Sequence, residues 1–131
     1  MAMAIDFNMP VLVVDDYRTM VRIIRNFLRQ LGFGDVDGAS DGSVALEMMH
    51  EKDYGLVISD WNMAPMTGYD LLREVRKDYD LSRTPFIMVT ADGTSENQVA
   101  AKRAGVSDYL QKPFNAATLR SKIETAFDDH S

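Results

Sequence analysis

The chain reads as an α/β domain, a parallel sheet with helices on both faces. Three observations predict it. Short apolar runs recur along the 131 residues and alternate with segments of helical periodicity, the pattern of consecutive β–α units. Glycines stand where two of the helical patterns stop, at Gly32 and Gly105. The length suits one domain with a real core. Each β–α–β crossover is expected to be right-handed, which distributes the helices over both faces.

The elements follow in order. Residues 1–8 are expected to be a loose tail and the rest of 1–131 a single domain. Val11–Val14 is the first strand. A helix over about Arg18–Leu31 carries Met20, Ile23, Phe27 and Leu31 on one stripe and ends at Gly32. Asp35–Ala39 is the second strand, and a helix begins near Gly42-Ser43 with Ala45, Leu46 and Met49 inward. Leu56–Ser59 is the third strand, followed by a loop holding Pro65 and Gly68. The next helix, Tyr69 to Asp78, turns Leu71, Leu72 and Val75 inward. Pro85–Thr90 is the fourth strand, and Ser95 with Gln98 forms a capping box for the helix that Gly105 ends. Asp108–Gln111 is the fifth strand. Asn115 caps a last helix whose inner stripe is Leu119, Ile123 and Phe127.

Composition excludes several functions. Hydrophobic residues make up 46% and charged residues 26%, ordinary for a soluble globular protein. Net charge is −6, from 14 Lys+Arg against 20 Asp+Glu, whereas non-specific nucleic-acid binding needs a basic surface. No apolar run approaches membrane-spanning length and no signal peptide is evident, so a cytoplasmic location without membrane contact is expected. Cysteine is absent, which removes disulfides, thiol nucleophiles and thiolate metal sites. The nine Met residues are read as core filler. His50 and His130 are expected at the surface.

Polar residues end four of the apolar runs. Asp15 and Asp16 follow the first, Asp60 the third, Thr90 the fourth and Lys112 the fifth. Ligands of such sheets bind beyond the carboxyl ends of the strands, so these groups converge on one rim. Adjacent acids at a strand end can be no more than a solvated helix start, and a lone Asp or Lys-Pro is weak. The ordered combination at separate strand ends is much harder to obtain by accident. An aspartate is ionised at neutral pH, with an unperturbed pKa near ~3.9, and needs no general base to act as a nucleophile. An anionic phosphoryl donor would, however, meet three carboxylates, each like pair costing ~4 kcal/mol at ~4 Å and an effective dielectric of ~20. Magnesium, hard and oxygen-seeking, removes that obstacle. Lys112 can pair with Asp60 before reaction and with a phosphate oxygen after it, and the Thr90 hydroxyl can donate to another.

These residues resemble the receiver domains of two-component response regulators, and among them the single-domain chemotaxis regulators. The matching segments are Val14-Asp15-Asp16, Thr19-Met20, Leu31-Gly32-Phe33, Asp41-Gly42, Ser59 to Met63, Val89-Thr90-Ala91, Lys112-Pro113-Phe114 and Ala116 to Leu119. The resemblance implies a doubly wound, flavodoxin-like sheet of five parallel strands in the order 2-1-3-4-5. It implies that Asp60 accepts a phosphoryl group from a phosphohistidine on a sensor histidine kinase. Asp16, Asp60 and the backbone carbonyl of Asn62 would hold Mg2+, with Asp15 acting through metal-bound water. Thr90 and Tyr109 would form the switch pair, Lys112 would couple the phosphate to the last strand, and Pro113 would follow a cis peptide bond. The implied product is a monomeric, phosphorylation-dependent binding module. Its protein target would meet the face of the fourth helix, fifth strand and fifth helix, the flagellar motor switch being one candidate.

Two departures stand out. The motif's proline comes one place late, at Pro65 instead of Ala64, which is expected to bend the loop after Asp60 differently. Gln98 and Gln111 occupy positions that are apolar in the motor-binding regulators, while Lys122 matches a basic residue there. A phosphate sink or relay without an output partner is the alternative. An aspartate-nucleophile phosphatase fits less well, because Asn62 and Ala64 stand where its acid/base Asp and its Thr would be. No nucleotide-binding G-x-x-x-x-G-K-[ST] loop exists.

Overall fold

The computed structural model describes residues 5–91 and 93–128, so His130 and the first four residues of the expected tail lie outside it. Ten elements alternate: β1 (Val11–Val14), α1 (Arg18–Leu31), β2 (Val36–Ala39), α2 (Gly42–Glu51), β3 (Leu56–Asp60), α3 (Gly68–Lys77), β4 (Phe86–Thr90), α4 (Ser95–Arg103), β5 (Asp108–Gln111) and α5 (Ala116–Asp128). The sheet is parallel throughout, in the order β2-β1-β3-β4-β5.

Alternation along the central strands sorts the core into two layers. Val11, Val13, Leu56, Ile58, Ile87 and Val89 face α1 and α5, where Ile24, Leu28, Leu119 and Ile123 meet them. Leu12, Val14, Val57, Phe86 and Met88 face α2 and α3, against Ala45, Met49, Leu71, Leu72 and Val75. The inward stripes of α2, α3 and α5 therefore match the sequence reading.

Two expectations need correction. In α1 the buried positions are Ile24 and Leu28, whereas Ile23 is 37% exposed. The doublets Ile23-Ile24 and Phe27-Leu28 offer two neighbouring stripes, and the sheet selects the one that also admits Val21 and Leu31. In α4 the cap is Thr94, not Ser95: its Oγ1 accepts from the Asn97 N–H at 3.3 Å, and Gln98 donates to the Gly93 carbonyl. Ile5 packs on the α1/α5 layer, and the Phe7 ring lies 4.9 Å from that of Phe33, an apolar contact that anchors the turn before β1.

Arg76, which the sequence does not single out, ties α3 to the far loops. Its guanidinium donates to the carbonyls of Gly105, Ser82 and Thr84, and burial depresses its pKa. Gly32 ends α1 at φ 112°, in the left-handed region where a side chain is strained.

Gly68 starts α3 directly beneath the end of β3. Its N–H donates to the Trp61 carbonyl at 2.9 Å, and a Cβ there would overlap the Asp60 carbonyl oxygen, a backbone atom that cannot turn aside. Gly68→Ala is therefore expected to destabilise the protein by about 1–3 kcal/mol, read as a lower urea midpoint at unchanged slope. An unchanged midpoint would show that this close approach is not needed.

Candidate functional site

The carboxyl edge of the sheet gathers the polar residues. The Asp15 N–H donates to the Ala39 carbonyl at 3.1 Å, fixing the chain as it leaves β1 toward α1. Asp60 is the last residue of β3, one place further into the strand than expected, and pairs in register with Val89 of β4. Thr90 ends β4 opposite Gln111, and its carbonyl accepts from the Lys112 N–H at 2.8 Å. That bond places Lys112 just past β5. The Lys112–Pro113 peptide bond is cis, as is Ala64–Pro65 in the loop after β3.

One carboxylate oxygen from each of Asp15, Asp16 and Asp60 lies within 4.8 Å of the others. Asp15, Asp60 and Thr90 are buried, at 3%, 7% and 1% exposure, while Asp16 is open to solvent. Lys112 Nζ stands 3.1 Å from Asp60 Oδ1 and 3.8 Å from Asp15 Oδ2. Asp15 Oδ1 accepts from the Tyr17 N–H at 2.9 Å, but its Oδ2 is buried without a hydrogen bond. A buried carboxylate oxygen left in this way is costly, which makes it a marker of a ligand group. Burial raises the Asp15 pKa to about 6. The Tyr17 N–H opposes that rise, the charge of Asp60 adds to it, Lys112 opposes it and Asp16 adds to it.

The donor set fits the implied metal. Three clustered carboxylates, one with an unsatisfied oxygen, are hard oxygen donors of the kind magnesium prefers. Asn62 lies two residues past Asp60 and is exposed. Tyr109 is half-buried on β5, packed against the layer that holds Phe86 and Met88.

Contacts among neighbouring side chains shape the site. The Ser59 hydroxyl donates to the Asp60 carbonyl at 3.0 Å. Trp61 is half-buried and stacks on Tyr69, with ring centroids 5.5 Å apart and planes 19° from parallel. Phe114, next to the cis proline, meets Phe27 edge-on at 6.0 Å, linking the β5–α5 loop to α1. Aromatic residues 8 or 87 places apart carry no pairing signal in a single sequence. Gln98 and Gln111 converge on Gly93 in the β4–α4 loop: a Cβ on Gly93 would strike the Gln111 amide. At the same face Lys122 Nζ is 3.6 Å from Asp108 Oδ1.

A family model described as response regulator receiver domain matches residues 11–124. The chain is 48% identical over 120 residues to the chemotaxis protein CheY of Pseudomonas aeruginosa, covering 92% of this chain and 97% of that one. Among solved structures it is similar to CheY4 of Vibrio cholerae, at a TM-score of 0.85 and 31% identity over 91% of this chain and 98% of that one. It is also similar to the receiver domain of a sensor histidine kinase from Pseudomonas aeruginosa, at 0.82 and 29%, covering 93% and 98%. That structure is described with a magnesium ion coordinated in its active-site cleft.

The Asp15 shift gives a pH test. A carboxyl whose folded pKa exceeds its unfolded value binds protons more tightly when folded. Its penalty is full above pH 6 and is relieved as pH falls from about 6 toward 4. In metal-free buffer Asp15→Asn is expected to stabilise the protein at pH 7 by on the order of 2 kcal/mol. That advantage should shrink by pH 5. Denaturant melts at the two pH values check it, and a pH-independent difference would contradict the buried charge.

Proposed function

The chain belongs to the response regulator receiver family, and from that premise we propose that it is a phosphorylation-controlled signalling switch with Asp60 as acceptor. A CheY-like receiver domain is a regulatory module, so the chemistry serves binding and not turnover of a metabolite. The observation that carries the reading is the pairing of a buried Asp60, alone at the end of β3, with Lys112 Nζ at 3.1 Å.

The donor is a phosphohistidine of a sensor histidine kinase. An Asp60 carboxylate oxygen bonds to phosphorus as the phosphorus–nitrogen bond breaks, and the imidazole keeps the electron pair. Asp16, Asp60 and the Asn62 carbonyl would hold magnesium, with Asp15 acting through water. The bound ion would supply positive charge that offsets the carboxylates as a phosphoryl group approaches. Lys112 then turns from Asp60 to a phosphoryl oxygen, and the Thr90 hydroxyl donates to another.

Thr90 lies on β4 and Tyr109 on the adjacent β5, so a shift of the first changes the space open to the second. An inward Tyr109 reshapes the α4–β5–α5 face, a shift of population between two states of one fold. The target is a protein that reads this face, the flagellar motor switch being the leading candidate, and the module works as a cytoplasmic monomer. One observation favours a phosphate sink or relay instead. Gln98, Gln111 and the Lys122–Asp108 pair make the face polar, and Gln98 bonds the Gly93 carbonyl of the β4–α4 loop beside the Gln111 amide.

Incubation with acetyl phosphate and magnesium should phosphorylate the wild type, and Asp60→Asn should show no labelling with its fold intact by circular dichroism. Thr90→Ala should accept phosphate yet lose most of the phosphorylation-induced change in Tyr109 environment, followed by NMR. Undiminished labelling of Asp60→Asn overturns the acceptor assignment, and a full Tyr109 response in Thr90→Ala overturns the switch.

A further inference from the structure

Four of the nine arginines of the chain lie on α1, at 18, 22, 25 and 29. At about 100° per residue they fall within about 60° of one another, a single stripe roughly 16 Å long. They line a groove of about 560 Å³ between α1 and the end of β2, floored by Gly38, Ala39 and Ser40 and walled by Val44 of α2. Gly38 keeps the floor open, since a Cβ there would come within 2.9 Å of Val21.

Helix stability does not explain the stripe. α1 contains no acidic residue, so none of the four has an i,i+4 partner. Arg18 opens the helix, where a cation opposes the macrodipole. Among the described residues none of the four forms a salt bridge; Arg25 interacts only at longer range with Asp37, and its Nε is buried without a hydrogen bond. A chain of net charge −6 thus concentrates unpaired guanidinium groups along one concave surface.

We infer that this groove binds a small polyanion carrying two or more phosphate groups. Guanidinium forks match phosphate oxygens in bidentate fashion and tolerate desolvation better than ammonium groups. The volume lies in the range of small-molecule sites, roughly 300–1,000 Å³. Asp15 and Asp16 line one end of the groove and repel anions, so the phosphates occupy the half lined by Arg22, Arg25 and Arg29. Val21, Val44 and Ala39 leave apolar surface for a nucleobase. The ligand is therefore a nucleotide or a linear polyphosphate. The inference does not depend on phosphorylation of Asp60.

The test uses the full chain in metal-free buffer with EDTA, so that the acidic site recruits no phosphate through a cation. Tripolyphosphate, ATP, adenosine and a glutamate-rich peptide are titrated by calorimetry, and the affected amides are mapped by NMR. Tripolyphosphate and ATP should bind and shift amides of α1 and residues 38–40, while adenosine should not. Tighter binding of ATP supports the site and assigns it to nucleotides; equal binding supports it and assigns it to polyphosphate. The exposed pair R22S/R29S should weaken binding by about tenfold or more, Arg83→Ser, exposed elsewhere, should leave it unchanged, and Asp60→Asn should retain it. No binding, binding unaffected by R22S/R29S, or preference for the acidic peptide would each overturn the inference.

Discussion

Everything at the carboxyl edge of this sheet depends on three carboxylates held within 4.8 Å of one another, two of them buried. At that separation and an effective dielectric of ~20 each pair of like charges costs about 3.5 kcal/mol. Lys112 offsets part of this, reaching Asp60 at 3.1 Å and Asp15 at 3.8 Å, but leaves Asp15 Oδ2 without a hydrogen bond. Three like charges in one site leave it in tension, which a hard cation or a rearranged Lys112 would relieve. A group of charges in that condition is well suited to a switch, because a small chemical change at Asp60 alters which partners Lys112 and Asp15 prefer.

The fold keeps the charges together by backbone means. Parallel strands β1 and β3 pair in register, so their carboxyl ends stand side by side, and the two layers of helices cover the faces of the sheet behind them. Gly68 lets α3 begin against the Asp60 carbonyl, which prevents β3 from fraying away from the site. The Lys112 N–H is fixed to the Thr90 carbonyl, so Lys112 and Thr90 approach Asp60 on a common support. From Lys112 the chain passes through Pro113 to Phe114, which touches Phe27 of α1. Changes at Asp60 can therefore reach both the β5 side of the molecule and the α1 face through packed groups.

Most of the fold was legible because the central strands β1, β3 and β4 are short, largely apolar and buried on both faces, a pattern with few other uses. The helix boundaries were legible where a glycine or a capping side chain marks them, as at Gly32 and Asn115, which accepts from the Thr118 N–H. Sequence failed where two neighbouring residues could do the same task. Ile23 or Ile24 could face the sheet, and Thr94 or Ser95 could cap α4; tertiary packing and loop geometry made each choice. Within the site, the order and spacing of Asp15, Asp16, Asp60, Thr90 and Lys112 pointed to one rim. Nothing in two adjacent aspartates told which would be buried. The chain entering α1 from β1 turns Asp15 inward and Asp16 to solvent, and that asymmetry sets where the unfavourable charge resides. The arginine period of α1 was equally visible, but its meaning required the groove opposite.

The most direct measurement of the central account is a calorimetric magnesium titration of the wild type beside Asp15→Asn, Asp16→Asn and Asp60→Asn. If the three carboxylates form one cation site, the wild type binds a single ion and each substitution weakens it, by about tenfold or more for the direct ligands Asp16 and Asp60. Magnesium affinity that survives all three substitutions undiminished would contradict it.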